Sequence, residues 1–294
     1  MGGSWLQFVA GGLTAGAIYA LVALGFSIVY NASHAINFAQ GEFVMIGGMG
    51  AVSLVGLGLP LAVAVPLAVV GAMLVGVLVQ RLAIEPAQVG GKADVVTLII
   101  ITIGVALFLR GAAQVVWDKR FHSLPAFSGS EPIAIGGATV LPQSLWVLGG
   151  AALAVFALGW FFNRTLYGKA MRATALNPLA ARLMGVSTRC VMRVSFALAA
   201  ALGALGGVLT APITFTSYDV GVMLGLKGFA AAMLGGLGSF GGAVAGGLLL
   251  GLMEGLGAGF ISSAYKDAIA FVVILAVLYF MPGGLAGARR SERV

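Results

Sequence analysis

Residues that build disulfides, metal sites and active sites are scarce in this sequence of 294 residues. It has one cysteine, Cys190, which excludes an intrachain disulfide, and its two histidines, His34 and His122, are too few for a histidine-based metal site. Charged side chains make up only 9% of the chain. The sequence also lacks HExxH, GxSxG and carboxylate pairs at a useful spacing. We therefore predict that the chain is not an enzyme and holds neither catalytic residues nor a metal.

Hydrophobic sequence is what the chain has in abundance. Hydrophobic side chains make up 60% of it, and its mean hydropathy is +1.07, far above the range of soluble domains. Runs of about 20 apolar residues are long enough to cross a bilayer as helices. The strict alternation of a transmembrane β-barrel is absent from the sequence. The predicted fold is all-α: a polytopic transmembrane helical bundle, forming a single domain over residues 1–294.

Nine segments are predicted to cross the membrane, with an error of one in either direction, so eight to ten spans are expected. The seventh segment is too short to cross alone, and we predict that it belongs to a broken or re-entrant element. The predicted spans are Trp5–Tyr30, Phe38–Gly58, Pro60–Gln80, Val95–Val116, Leu145–Phe162, Val194–Ile213, Gly225–Leu237, Gly241–Gly257 and Ala268–Met281.

Basic residues are distributed unequally between the two sides of these spans. Lys119, Arg120 and Lys266 fall on one side and eleven basic residues on the other, while Arg110 and Lys227 lie within or at the edge of spans. Because cytoplasmic loops carry the excess of Lys and Arg, the side with eleven is predicted to be cytoplasmic and the amino terminus to lie outside. This asymmetry accounts for the net charge of +7 without nucleic acid as a partner. The eleven are Arg81, Lys92, Arg164, Lys169, Arg172, Arg182, Arg189, Arg193, Arg289, Arg290 and Arg293.

Glycines recur at helix-contact spacing in the apolar segments. Such rows let helix backbones approach closely in lipid, either within one subunit or across a dimer face. One row contains Gly238, Gly242 and Gly246, and the other contains Gly247, Gly251, Gly255 and Gly259.

Polar side chains interrupt the apolar sequence between His34 and Glu42. Asn37 and Gln40 have the spacing of a capping box, which predicts that a helix begins after Asn37, with Glu42 near its positive end. One interpretation is that these polar groups stabilise the start of a buried helix. The other is that Asn37, Gln40 and Glu42 line a path for a polar solute.

Glu254 is a second acidic residue expected inside the membrane. Such residues are costly in lipid and are therefore functional candidates. Arg110 is a possible partner, which would make Glu254 part of a structural ion pair. The alternative is that Glu254 also faces the solute path.

The segment from Asn163 to Arg193 is the longest basic loop, and we predict that it contains a short capped helix. Asn177 is a suitable N-cap, Pro178 fits the first helical position, and Gly185 fits the position just after the helix. A helix of about seven residues does not persist alone in water, so it needs a partner chain or the membrane surface to lie against. The residues available for that contact are Leu179, Arg182, Leu183 and Met184.

Four segments resemble bacterial ABC transporter permeases for branched-chain amino acids, of the H type. They are "YALVALGFSIVYNASHAINFAQGEFVMIG", "GKAMRATALNPLAARLMGV", "LGGLGSFGGAVAGGLLLGLMEG" and "MPGGLAG", and together they extend over nearly the whole chain. The family usually has His at the position of Gln40 and often an acidic residue at that of Leu179. Permeases for amides and urea share the family, so the resemblance leaves the exact substrate open.

The resemblance implies a multi-subunit importer in the bacterial inner membrane, in contact with the lipid bilayer. A second, related permease chain, two cytoplasmic ABC ATPases and a periplasmic binding protein would be its partners. ATP and Mg would be used by the ATPases, and this chain would bind no cofactor, since neither Gly91-Lys92 nor Gly168-Lys169 completes a Walker A loop. Residues 163–193 would form a cytoplasmic coupling loop, and the carboxyl terminus would also be cytoplasmic. The implied coupling residues are Asn177, Pro178, Leu179, Arg182, Leu183 and Gly185.

A secondary transporter driven by an ion gradient is the alternative function. Short glycine-interrupted spans near residues 38 and 225 resemble the broken helices of two repeats in such proteins. Dependence on an ATPase partner distinguishes the two functions.

Overall fold

The computed structural model describes residues 2–89, 94–129, 131–135, 138–260, 262–281 and 283–287, and these residues are almost entirely helical. The all-α prediction is confirmed, with a two-stranded hairpin as the addition. In the first half of the chain, the elements are α1 (Gly2–Ser33), α2 (Gln40–Gly56), α3 (Leu61–Val79), a π-helical segment (Gln80–Ile84), α4 (Glu85–Val89), α5 (Val95–Trp117), β1 (Ile133–Ile135) and β2 (Ala138–Val140). In the second half they are α6 (Pro142–Arg164), α7 (Leu166–Leu176), α8 (Pro178–Leu183), α9 (Thr188–Thr214), α10 (Val220–Gly235), α11 (Phe240–Phe260), a 3₁₀ turn (Ser263–Tyr265), α12 (Lys266–Phe280) and α13 (Gly284–Gly287).

Each of the nine predicted spans coincides with a helix, but the described residues contain six helices long and apolar enough to cross a membrane. The predicted eight to ten spans therefore exceed what helix length supports. The difference lies in α2, α10 and α12, which have 17, 16 and 15 residues. The predicted short seventh span corresponds to α10, and α2 is a second short helix. The six long segments are Trp5–Ser33, Leu61–Gln88, Val95–Trp117, Pro142–Arg164, Thr188–Thr214 and Phe240–Phe260.

Helix α1 is the centre of the bundle, and α11 packs antiparallel against it. A Cβ added to Gly12 would lie 2.8 Å from the carbonyl oxygen of Gly251, so neither helix has room for a side chain there. Both predicted glycine rows serve contacts of this kind within the chain. In the second row, Gly247 faces Ala20, Gly251 faces Gly16, Gly255 faces Gly12 and Gly259 faces Phe8, whereas in the first row Gly242 and Gly246 face α10 and Gly238 faces Asn31.

The short helices α2 and α10 occupy equivalent places in two units that each contain a long, a short and a long helix. Gly41 and Gly221 are the second residues of the two short helices and lie 180 residues apart (221 − 41 = 180). Gly58 and Gly238, both with positive φ, follow the helices at the same offset (238 − 58 = 180).

Helices α1 and α9 run antiparallel, since Thr14 lines one cavity with Thr214 and Asn31 lines another with Ser195. Helix α2 runs parallel to α9, whereas α10 runs antiparallel to α11 and therefore parallel to α1, so the two short helices run in opposite directions. The units thus form an inverted repeat, an arrangement that places solute sites between the two halves.

The two ends of the bundle differ in charge and in structure. At one end, Arg193 Nη2 lies 2.9 Å from Glu85 Oε2, and α7 packs against α6 through Gly168 and leads into α8. At the other end, Trp117 donates a hydrogen bond to Ser53, and the β1–β2 hairpin follows. Seven of the eleven basic residues predicted to share one side are in the described part of the chain and belong to the Glu85–Arg193 end. Lys92, Arg289, Arg290 and Arg293 lie outside the described residues, as does the carboxyl terminus.

Candidate functional site

The polar segment before α2 turns into the bundle instead of lying at its surface. Asn37 and Gln40 are 1% and 0% exposed, and Asn37 Oδ1 accepts a hydrogen bond from the amide of Ala39 at 3.1 Å. Helix α2 begins at Gln40, with Ala39 at the N-cap position and without a side-chain cap. The predicted capping box is therefore wrong. The Gln40 side chain instead donates through Nε2 to the carbonyl oxygen of Ala199 in the middle of α9, at 2.9 Å.

Glu42 lies in the first turn of α2, as predicted, where the positive end of the helix stabilises a carboxylate. Its partner is Arg110 of α5, whose Nη2 lies 3.0 Å from Glu42 Oε1. The Glu42 side chain is 3% exposed and the Arg110 side chain 30%. Arg110, which was a possible partner for Glu254, therefore pairs with Glu42 instead. Residues 42 and 110 belong to different helices, so no local sequence pattern relates them.

The start of α10 meets the start of α2 at this ion pair. Gly41 and Gly221 pack backbone against backbone, so the positive ends of two helices converge at one place. Asp219, just before α10, interacts electrostatically with Glu42, and its Oδ1 accepts a hydrogen bond from Ser217 at 2.5 Å. We name the group formed by Glu42, Arg110 and Asp219 the helix-start site. Asn37 and Gln40 precede Glu42 in the chain, and the Gln40 side chain packs against α1 and α9.

Glu254 belongs to a separate buried network. Its Oε1 lies 2.8 Å from Lys227 Nζ, and its Oε2 accepts a hydrogen bond from the Tyr19 hydroxyl at 2.7 Å. Lys227 also lies 2.6 Å from Asp267 Oδ1, so the network joins α1, α10, α11 and α12. Lys227 lies within α10, which begins at Val220 and not at Gly225 as predicted, and its side chain is buried. No hydrogen bond found among the described residues connects this network to the helix-start site.

The predicted short helix in the basic loop is present as α8. Asn177 Oδ1 accepts hydrogen bonds from the amides of Leu179 at 3.1 Å and Ala180 at 3.0 Å, and Pro178 is the first helical residue. Gly185 follows the helix with φ +86°, in the left-handed region that favours glycine. The amide of Gly185 bonds to Arg182 O and that of Val186 to Ala181 O, which is a Schellman motif. Both ends of α8 are therefore fixed by the residues that the sequence indicated.

Helix α8 presents apolar side chains away from the bundle. Only Ala181 of this helix is buried, while Leu183 is 81% exposed and Met184, next along the chain, is 85% exposed. Arg182 lies among them, and its Nε donates to Thr188 Oγ1 at 3.1 Å, which ties α8 to the start of α9. Leu179 is also largely exposed. We name this surface the α8 face, and exposed apolar side chains of this kind suit contact with another protein or with the membrane surface.

In the described ranges, His, Cys, Asp and Glu side chains do not come together in groups of three that could hold a metal ion. The chemistry available at the helix-start site is charge pairing and hydrogen bonding. Long apolar helices around two short helices whose starts converge on buried charges define a polytopic membrane transport protein.

The chain belongs to the family described as branched-chain amino acid transport system permease components, whose model matches residues 8–278. It is 32% identical over 304 residues to the high-affinity branched-chain amino acid transport system permease protein BraD of Pseudomonas aeruginosa, with 99% of this chain and 98% of that one covered. It is also 32% identical over 307 residues to the corresponding protein LivH of Escherichia coli K12, with the same coverage. It is thus an integral membrane subunit of a transport system.

Two further similarities are more distant. The autoinducer 2 import system permease protein LsrC of Escherichia coli is 30% identical over 199 residues, which cover 62% of this chain and 54% of that protein. Among solved structures, PsaBC from Streptococcus pneumoniae in complex with Fab aligns with a TM-score of 0.51 at 14% identity, covering 94% of this chain and 93% of that chain. The structural similarity supports the fold alone.

Proposed function

We propose that this chain is a permease subunit of an ATP-driven importer for branched-chain amino acids in the bacterial inner membrane. The near full-length similarity to the branched-chain amino acid permeases BraD and LivH supports the substrate class. The observation that carries the mechanism is the α8 face, because a six-residue helix capped at both ends presents exposed apolar side chains to a partner. Such a helix transmits force only if another protein binds to it.

The partner proposed for the α8 face is one of two cytoplasmic ATPases. This chain has no Walker A sequence, so ATP and Mg would be bound by the ATPases and not by the permease. The coupling residues would be Asn177, Pro178 and Gly185, which fix the helix, and Leu179, Arg182 and Leu183, which contact the ATPase. The basic residues near α8 support its placement on the cytoplasmic side, together with the carboxyl terminus. A second permease chain and a periplasmic binding protein complete the proposed transporter.

The proposed solute path passes the helix-start site, with Asn37 and Gln40 beside Glu42. Their burial inside the bundle and the convergence of two helix starts support this placement. We propose a structural role for Glu254, because Lys227 and Tyr19 already bond both of its carboxylate oxygens.

The test is co-purification and uptake. We expect the chain to co-purify with ABC ATPases from its own organism, and the reconstituted complex to take up leucine only with ATP and the binding protein. Arg182→Glu, or Asn177→Ala with Pro178→Ala, should leave the chain folded but uncouple ATP hydrolysis from uptake. Leucine uptake by the purified chain alone, driven by an ion gradient without ATP, would contradict the proposal and favour a secondary transporter.

A further inference from the structure

Arg110 holds a positive charge at a depth where a charge is costly. It lies seven residues before the end of α5 at Trp117, which places its Cα about 10 Å inside that end at 1.5 Å per residue. Its side chain is 30% exposed, beside Leu107 and Phe108, which are 61% and 73% exposed. An arginine that faced hydrocarbon here would be strongly unfavourable, whereas one that faces a solute path or another subunit is not. The exposed part of Arg110 is therefore expected to face a polar region, which is the end of the bundle, another subunit or a solute path.

Two buried polar atoms of the Glu42–Arg110 pair, Glu42 Oε2 and Arg110 Nε, lack hydrogen-bond partners in the described part of the chain, although the two side chains bond to each other through other atoms. Buried polar atoms are nearly always paired, so these two have capacity to bind water or a polar ligand. Asn37 Nδ2 and Gln40 Oε1 are also unpaired, but the Gln40 side chain packs against Gly25 of α1 and Gly203 of α9.

The helix-start site contains both negative and positive side chains. Glu42 and the exposed Asp219 supply two negative charges, and Arg110 supplies one positive charge. An α-amino acid at neutral pH carries an ammonium group and a carboxylate on the same carbon. The helix-start site contains a partner for each of them.

We propose that the helix-start site admits the substrate as a zwitterion, with its ammonium on Glu42 and Asp219 and its carboxylate on the Arg110 guanidinium. The inference rests on the proposed importer function and specifies the chemistry that the path selects. A guanidinium binds a carboxylate through two parallel N–H donors, which suits this role. Urea or a simple amide has no charged groups. It would separate Glu42 from Arg110 without giving either residue an opposite charge as a new partner.

The substrate can pass without leaving an unpaired charge inside the membrane. Without substrate, Glu42 and Arg110 satisfy each other. With substrate between them, their single ion pair is replaced by two, one at each end of the amino acid, and no charge is left alone in the membrane. A permease of this kind needs no tight binding, and the pair would close again once the substrate has passed.

The experiment uses the complete transporter, with its partner permease, ATPases and loaded binding protein, in proteoliposomes. Leucine uptake is measured for Glu42→Gln and Arg110→Gln, with the exposed residues changed in Glu131→Gln and Arg120→Gln as matched controls. We expect uptake to fall about tenfold or more at saturating binding protein in the first two, because an interaction made during passage is lost. The controls should remain within about twofold of the wild type.

A reversed pair separates a substrate role from a structural one. Glu42→Arg combined with Arg110→Glu keeps an ion pair but places the positive charge at the starts of two helices and beside Asp219. We expect this variant to assemble with the ATPases and to take up leucine no better than the single variants. Wild-type uptake by the reversed pair, or normal uptake by both Gln variants, would overturn the inference.

Assembly with the ATPases is checked for every variant. If a Gln variant does not assemble, the inference is tested with Glu42→Asp and Arg110→Lys. Both variants keep the charge but change the length of the side chain or the geometry of its donors. We expect each to assemble and to lose about threefold or more of the uptake rate, and full uptake by both would overturn the inference. If the wild-type complex itself shows no ATP-dependent leucine uptake, it is the proposed importer function that fails.

Discussion

Gly41 and Gly221 face each other where the two short helices begin, and a Cβ on either one would collide with the backbone of the other. This contact brings the starts of α2 and α10 together in the centre of the inverted repeat. It also places Glu42 and Asp219, one residue after Gly41 and two before Gly221, on the same small region. The absence of two side chains thus allows the charges of the helix-start site to converge.

Gly41→Ala should destabilise the protein strongly. The added methyl group meets the carbonyl group of Gly221, a backbone atom that cannot rotate away, so the cost should reach or exceed the ~1–3 kcal/mol typical of overpacked cores. The measurement is thermal unfolding of the purified chain in nanodiscs. Gly71→Ala in α3 is the control, because a Cβ there meets nothing within 4 Å. An equal melting temperature for the two variants would show that α2 and α10 are not in close contact.

The helices themselves could be predicted from the sequence, because a run of about 20 apolar residues has few alternatives in a membrane. The start of α2 could not. Asn37 and Gln40 have the spacing of a capping box, but Gln40 bonds to Ala199, which is 159 residues away. The Gln40 side chain bonds to a backbone carbonyl of another helix instead of capping its own. A single sequence does not show such a long-range contact.

Charge partners were the other part that could not be predicted. Arg110 and Glu254 are both isolated charges in apolar sequence, and nothing local distinguishes a pairing between them from the pairs that form, Arg110 with Glu42 and Lys227 with Glu254. Helix α8 was predicted correctly because its signals are local: Asn177, Pro178 and Gly185 each act on backbone groups within three residues.

Lys227→Met should cost far more stability than Glu254→Gln. Removing the lysine leaves Glu254 and Asp267 without the cation between them, and breaking a buried pair in this way typically costs ~3–5 kcal/mol. Glu254→Gln leaves Lys227 paired with Asp267, so we expect a smaller loss. Both are measured by thermal unfolding, with the exposed Lys119→Met as the control. Equal losses for the two variants would mean that Asp267 does not share Lys227.

Asn177→Ala should loosen α8 without unfolding the bundle. The substitution removes the acceptor for two backbone amides, a loss of ~0.5–2 kcal/mol that falls on one short helix. Hydrogen exchange should therefore accelerate about fivefold at Leu179 and Ala180, while the melting temperature stays within a degree or two. Asn177→Asp, which retains the acceptor, should behave like the wild type. Unchanged hydrogen exchange in Asn177→Ala would show that the Asn177 cap does not stabilise α8.

Leu183→Ser should weaken binding of the ATPase without affecting the fold of the permease. Leu183 is 81% exposed on the α8 face, so the chain itself loses almost no buried area, whereas an interface would lose an apolar anchor, which corresponds to about tenfold weaker binding or more. The measurement is ATPase binding to the permease in nanodiscs. Leu57→Ser is the matched control, because Leu57 is 79% exposed at the opposite end of the bundle and should leave ATPase binding unchanged. If both variants bind the ATPase equally well, the coupling contact lies elsewhere on the same end of the bundle, and α8 is a membrane-surface helix.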